Sequence, residues 1–116
     1  EVFVSARTRE FKYANYMSEW VRKVERVGNL NYPDAARREG ITGKLRLDVA
    51  LNPDGTERNI TVLRPSGHSI LDEAAIRIVN LAGPYAPFPP EIARTDDVLH
   101  IIRTWEFSTT NRMQSR

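Results

Sequence analysis

Turns and helix ends are written along this chain in an ordered series: Tyr32-Pro33, Gly40 and Gly43, Asp54-Gly55, Pro65-Ser66-Gly67, Leu71-Asp72 and Tyr85-Ala86-Pro87-Phe88-Pro89-Pro90. Proline fixes its own φ and cannot donate a hydrogen bond, and glycine accepts positive φ, so each mark limits what the backbone can do there. None of these marks supplies a nucleophile, a metal cage or a phosphate cradle. The chain reads as one built to present a surface.

Periodicity assigns the segments between the marks. Tyr13, Tyr16, Met17, Trp20, Val21, Val24 and Val27 recur at three and four, which predicts an amphipathic helix over Tyr13–Val27 stopped by Gly28. Pro33 suits the first position of a short second helix that Gly40 ends, with Asp34 favourable to its dipole. From Lys44 to Leu51 the pattern alternates, placing Leu45, Leu47, Val49 and Leu51 on one face of a strand. Asn52-Pro53-Asp54-Gly55 then predicts a hairpin turn, with a returning strand over Thr56–Leu63 that ends before Pro65. Ser69-Ile70-Leu71-Asp72 matches a capping box in its Asp variant and opens a helix over Ile70–Leu81. Gly83-Pro84 ends that helix, and the prolines through Pro90 predict a stiff, extended spacer along the surface. Val98–Phe107 is the last strand.

Length and charge narrow the functional classes. The 116 residues allow one core. Seventeen basic and 15 acidic residues, mixed along the chain, give a net charge of +2, so no nucleic-acid partner is expected. The absence of cysteine leaves the compartment open. No stretch approaches the ~18 apolar residues of a membrane span. Beginning at Glu1 without Met, the chain reads as a piece of something longer. Residues 1–12 are expected to be an N-terminal extension or linker remnant, 13–107 the domain, and 108–116 a flexible tail.

Candidate chemistry is sparse. Ser66, His68, Ser69 and Asp72 offer a serine, a base and an acid, but residues this close on a turn and a first helical turn do not converge as a triad. His68 and His100 lie on different elements without metal-ligand spacing, and a neutral surface role is expected for both. Asp96-Asp97 suits a solvated loop. Gly40-Ile41-Thr42-Gly43-Lys44 lacks the Gly-Lys-Ser/Thr ending of a phosphate loop. No catalytic residue, metal or cofactor is expected.

The series as a whole carries a resemblance. Tyr32-Pro33-x-x-Ala36, Gly40-x-x-Gly43, the Asp54-Gly55 turn, Ser66-Gly67, Leu71-Asp72-x-Ala74-Ala75, Pro87-Phe88-Pro89-Pro90 and Arg103-Thr104-Trp105-x-Phe107 resemble the C-terminal domain of TonB energy transducers. With the hairpin and helices above, this implies an α+β fold: a three-stranded antiparallel sheet with helices packed on one face. The resemblance further implies a periplasmic, non-enzymatic domain, anchored to the inner membrane by a helix outside this sequence and working with ExbB and ExbD through that absent part. Its partner would be the TonB box of outer-membrane transporters for siderophores, haem or cobalamin. The family binds that box by strand addition beside the last strand, which maps onto Val98, Leu99, His100, Ile101, Ile102, Arg103, Thr104, Trp105, Glu106 and Phe107. Adding a strand uses main-chain bonds that any sequence offers, which suits broad partner choice. An open sheet edge would also permit a homodimer. Two rivals stand beside this reading: a TolA-like envelope scaffold that binds protein or peptidoglycan, and an enzyme that would need Asp97, His100 and Arg103 around one pocket.

Overall fold

The computed structural model describes residues 1–116, in the order β1 (Val2–Val4), α1 (Phe11–Leu30), α2 (Asp34–Glu39), β2 (Gly43–Leu51), β3 (Glu57–Arg64), α3 (Ser69–Ala82), α4 (Pro90–Ala93), β4 (Leu99–Phe107) and β5 (Met113–Ser115). The expected antiparallel meander is present as β3-β2-β4, and two short strands extend it to five. β1 lies parallel to β4, and β5 returns antiparallel on the same strand.

Strict alternation in β2 and β4 sends Leu45, Leu47, Val49, Leu51, Leu99, Ile101, Trp105 and Phe107 to one face, where each is almost completely buried. Against them lie the stripe of α1, led by Tyr16, Met17, Trp20 and Val24, and that of α3, led by Leu71, Ala75, Ile78 and Val79. Burying each large apolar side chain stabilises the fold by roughly 1.5–3 kcal/mol. Trp20 meets Trp105 edge-on at 5.9 Å, and Tyr32 meets Phe107 at 5.6 Å.

The turn marks act as their chemistry dictates. Gly40, Gly55 and Gly67 all have positive φ, and Gly40 ends α2 in the left-handed conformation. Gly55 does more than turn the hairpin. A Cβ there would overlap the Tyr85 carbonyl, because Tyr85 N–H donates to Gly55 O at 2.9 Å and Phe88 N–H to Pro53 O at 2.8 Å. The proline run is therefore not a surface spacer. It is laced to the hairpin tip, and Pro87 and Pro89 flank Phe88, which is buried with Tyr85.

Other departures have local causes. α1 does not stop at Gly28 but continues to Leu30, because Gly28 faces Met113: a Cβ there would lie 2.5 Å from Met113 Sδ. Pro33 is the N-cap of α2 and not its first helical residue. The capping box at Ser69 does not form. His68 is the N-cap of α3, and the Asp72 carboxylate reaches further back to accept from Ser66 N–H at 3.0 Å. Asp96 is buried, accepting from Tyr13 OH at 2.5 Å and Thr95 Oγ1 at 2.8 Å, while Asp97 stays exposed. The tail, expected to be flexible, contains β5, and its Met113 is fully buried. The N-terminal extension contains β1, whose Val4 is 1% exposed.

Candidate functional site

The two ends of the sheet differ. At one end, β3 pairs with β2 through register shifts that leave Arg58 and Leu63 as extra residues, so this edge is kinked twice and lined with Arg58 and Arg64. Bulges and charge are how natural edges resist pairing. β4, by contrast, pairs with β2 in unbroken register from Leu99 to Phe107.

Parity then sorts the residues of β4. Thr104 exchanges main-chain hydrogen bonds with Arg116, and Val98 O accepts from Val2 N–H at 3.0 Å. Even-numbered residues therefore aim their main-chain groups away from β2, along the outer edge, and odd-numbered ones toward β2. The same alternation puts the side chains of His100, Ile102, Thr104 and Glu106 on the sheet face away from the helices. Leu99, Ile101, Trp105 and Phe107 are core residues. Arg103 also lies on the helix side, beneath β5: its Nε donates to Ser115 Oγ at 2.7 Å and a guanidinium nitrogen lies 3.7 Å from Met17 Sδ. Burial lowers the Arg103 pKa from its ordinary value, and Glu25 opposes that shift.

This outer edge was expected to be open, and it is not. β1 covers its first half, with Val2, Phe3 and Val4 opposite Leu99, His100 and Ile101. β5 covers its second half, with Met113, Gln114 and Ser115 opposite Phe107, Glu106 and Trp105. Ile102 sits at the junction, in a cleft also lined by Ser5, Ala6, Arg7, Arg46 and Arg116. Within the meander the open edge is that of β3, and on the other side the outermost strands are the three-residue β1 and β5, so pairing between copies would use either the guarded β3 or the outer side of a very short strand.

The two covering strands are held unequally. β5 is fixed on both sides: Met113 N–H donates to Asn29 Oδ1 at 2.9 Å and Ser115 N–H to Glu25 Oε2 at 2.9 Å, while the Arg116 side chain pairs with Glu106 at 2.7 Å. β1 has one buried anchor, Val4, and one polar one, His100. The His100 ring stacks on Phe3 with centroids 4.1 Å apart. Its Nδ1 lies 2.9 Å from Asp48 Oδ1 and its Nε2 lies 2.8 Å from Glu1 Oε1. Burial alone would lower the His100 pKa, but the hydrogen bonds and charges of Glu1 and Asp48 outweigh it and raise the pKa above the ordinary value. His100 is thus not an isolated surface histidine but a half-buried ring placed between two carboxylates. Sequence reasoning missed this cluster because its members are Glu1, Asp48 and His100, which only the sheet brings together.

The other candidate sites do not assemble. Ser66 Oγ accepts from His68 N–H at 3.0 Å and Asp72 from Ser66 N–H, so the serine and the acid are engaged with the backbone of their own turn. Asp97, His100 and Arg103 do not face one pocket, since the Arg103 side chain lies on the opposite face from His100.

The comparisons agree with this architecture. The NMR solution structure of Helicobacter pylori TonB-CTD superposes with a TM-score of 0.53 at 24% sequence identity, covering 88% of this chain and 97% of that one, and so shares the fold. No curated protein matches the chain. The model of the Gram-negative bacterial TonB protein C-terminal family matches residues 28–109, from the end of α1 past the end of β4. With most of its length inside that match and its sheet in the same architecture, the chain belongs to the TonB C-terminal domain family.

Proposed function

We propose that this domain is a periplasmic adaptor that takes the TonB box of an outer-membrane transporter as an added strand along β4, and so couples uptake to energy from the inner membrane. Membership of the family carries the coarser part: a protein-interaction domain, facing the periplasm, in the energy coupling of transport. The observation that supports the finer part is the contrast between edges. β4 alone offers a straight, unbulged outer edge, and that edge is covered by strands of three residues each.

Exchange is energetically accessible there. A strand this short makes only a few main-chain hydrogen bonds, each contributing roughly 0.5–1.5 kcal/mol net. A longer box that replaces β1 regains those bonds and adds more, less the ordering of its own chain. Micromolar affinity follows, which suits a contact that must release. In this reading ExbB and ExbD act through parts of the parent protein outside this sequence, and the cargo is a siderophore, haem or cobalamin. The test is an NMR titration with synthetic TonB-box peptides and scrambled controls. Shifts along Val98–Phe107 with the box peptides alone support the adaptor; a folded sample that responds to none of them favours the TolA-like scaffold.

A further inference from the structure

The covering of β4 has an order built into it. β5 is fastened to α1 through Asn29 and Glu25 and buries Met113, whereas β1 contributes one buried valine and leaves Phe3 57% exposed. The polar hold on β1 is concentrated on His100. That imidazole is flanked by two carboxylates from different strands, Glu1 on β1 side and Asp48 on β2, each within hydrogen-bond distance of a different ring nitrogen. Such a bridge needs both ring nitrogens to donate, and only the protonated ring has two N–H groups. Neutral imidazole keeps one donor, so one of the two carboxylates must then face a lone pair.

We propose that β1 is a latch over the first half of the β4 edge, closed by the Asp48–His100–Glu1 bridge and the Phe3–His100 stack, and that loss of the His100 proton loosens it. Asp48 is fixed on the central strand β2 and stays with His100 whether or not β1 is docked. Glu1 is the partner that leaves. The other surroundings do not replace it: β3 presents Thr61 opposite Asp48, and Asp97, before β4, lies 3.7 Å from the Glu1 main-chain nitrogen. Arg7 and Arg46 line the next cleft, at Ile102. Opening frees the outward main-chain groups of Val98, His100 and Ile102 while β5 keeps Thr104 and Glu106 paired.

The sign is fixed by the geometry and agrees with the raised pKa of His100. Docking of β1 adds Glu1 to the Asp48 already beside the ring, so its contribution to the closed state is complete below the pKa that His100 has with β1 undocked and is lost as pH rises through the higher value it has with β1 docked. The latch is therefore tightest in mildly acidic medium and loosens toward alkaline pH, so edge availability rises with pH.

That the freed edge receives a TonB box rests on the adaptor reading above; the opening itself is measured on the intact chain with no partner. Amide hydrogen exchange by NMR, expressed as protection factors corrected for intrinsic rates, is followed from pH 5.5 to 8.5. For the wild type, protection at Val4, His100 and Ile102 falls by roughly two- to fivefold across that range, the size expected of one partly exposed ion pair, while Thr104 and Glu106 hold steady. Glu1→Gln flattens the dependence and holds these amides at the wild-type high-pH level throughout, and His100→Gln, which also loses the Phe3 stack, flattens it at or below that level. Equal pH dependence in wild type and both variants, or parallel loss at the β5 amides, would overturn the latch. Failure of every box peptide to bind would instead remove the adaptor reading, and these exchange results would stand apart from it.

Discussion

Asn29 and Met113 hold each other by a reciprocal pair of hydrogen bonds: Met113 N–H donates to Asn29 Oδ1 at 2.9 Å, and Asn29 Nδ2 donates to Met113 O at 3.3 Å. The amide side chain imitates a strand partner, so the last turn of α1 stands in for the neighbour that β5 lacks on its outer side. Gly28, one residue earlier, clears the space that the methionine fills. Helix end and terminal strand are one packing unit.

Asn29→Ala should therefore release β5 as a strand and leave a main-chain N–H without its acceptor. A loss of about 1–3 kcal/mol in denaturant unfolding is expected. Exchange protection at Thr104 and Glu106 should fall in the same variant, while the amides under β1 stay protected.

Gly55→Ala should be among the most damaging single changes. It combines positive φ with a Cβ that overlaps the Tyr85 carbonyl. We expect a loss of more than about 2 kcal/mol, because neither the hairpin tip nor the proline run can move without breaking the hydrogen bonds between them. Thermal unfolding compared with Gly40→Ala, which has positive φ and open space around it, separates strain from overlap.

Parity on β4 sharpens the test of strand addition. Ile102 aims its N–H at the outer edge, so Ile102→Pro should lower the affinity for a box peptide far more than Ile102→Ala, with the fold retained in both. Ile101→Pro removes an N–H directed at β2 and should unfold the sheet. Equal peptide affinity for the two Ile102 variants, measured by calorimetry, would sink strand addition at this edge.

Asp96 gives an acid limit to stability. Its hydrogen bond from Tyr13 OH, helped by Thr95, holds its pKa below the ordinary carboxylate value. A depressed acid contributes stability that is present above its unfolded value, 3.8, and is lost as pH falls through the folded one. Tyr13→Phe should raise the Asp96 pKa toward the ordinary value and destabilise the fold by about 1–2 kcal/mol at neutral pH. Acid unfolding followed by circular dichroism should begin at a higher pH in the variant.

These relationships show where the sequence is readable. Alternation over Lys44–Leu51 and Val98–Phe107 and the stripes of the two long helices are local patterns, and the elements lie within a few residues of where they predict. The turn at Asp54-Gly55 is legible for the same reason. β1 and β5 are not, because three residues cannot display a period and their burial is decided by partners far along the chain. Met113 is one apolar residue in a polar tail, and nothing near it announces that Gly28 has made room for it. Gly28 itself looks like a helix stop, since absence of a side chain signals flexibility and close approach alike. The candidate edge was legible as a strand, but its occupancy was not: the pairing of Val2 with Leu99 is a property of topology.

The parallel course of β1 along β4 also decides where the domain yields under tension. Any polypeptide continuing ahead of Glu1 would be tied directly to the strand that covers the edge, and a tug along it would reach those few hydrogen bonds before it reached the core. β5, stitched to α1 at the opposite half, would keep its place. Traction and uncovering would then be the same event, and the seam would part at a strand that gives the core one fully buried side chain, Val4, while the central β3-β2-β4 sheet keeps its pairing.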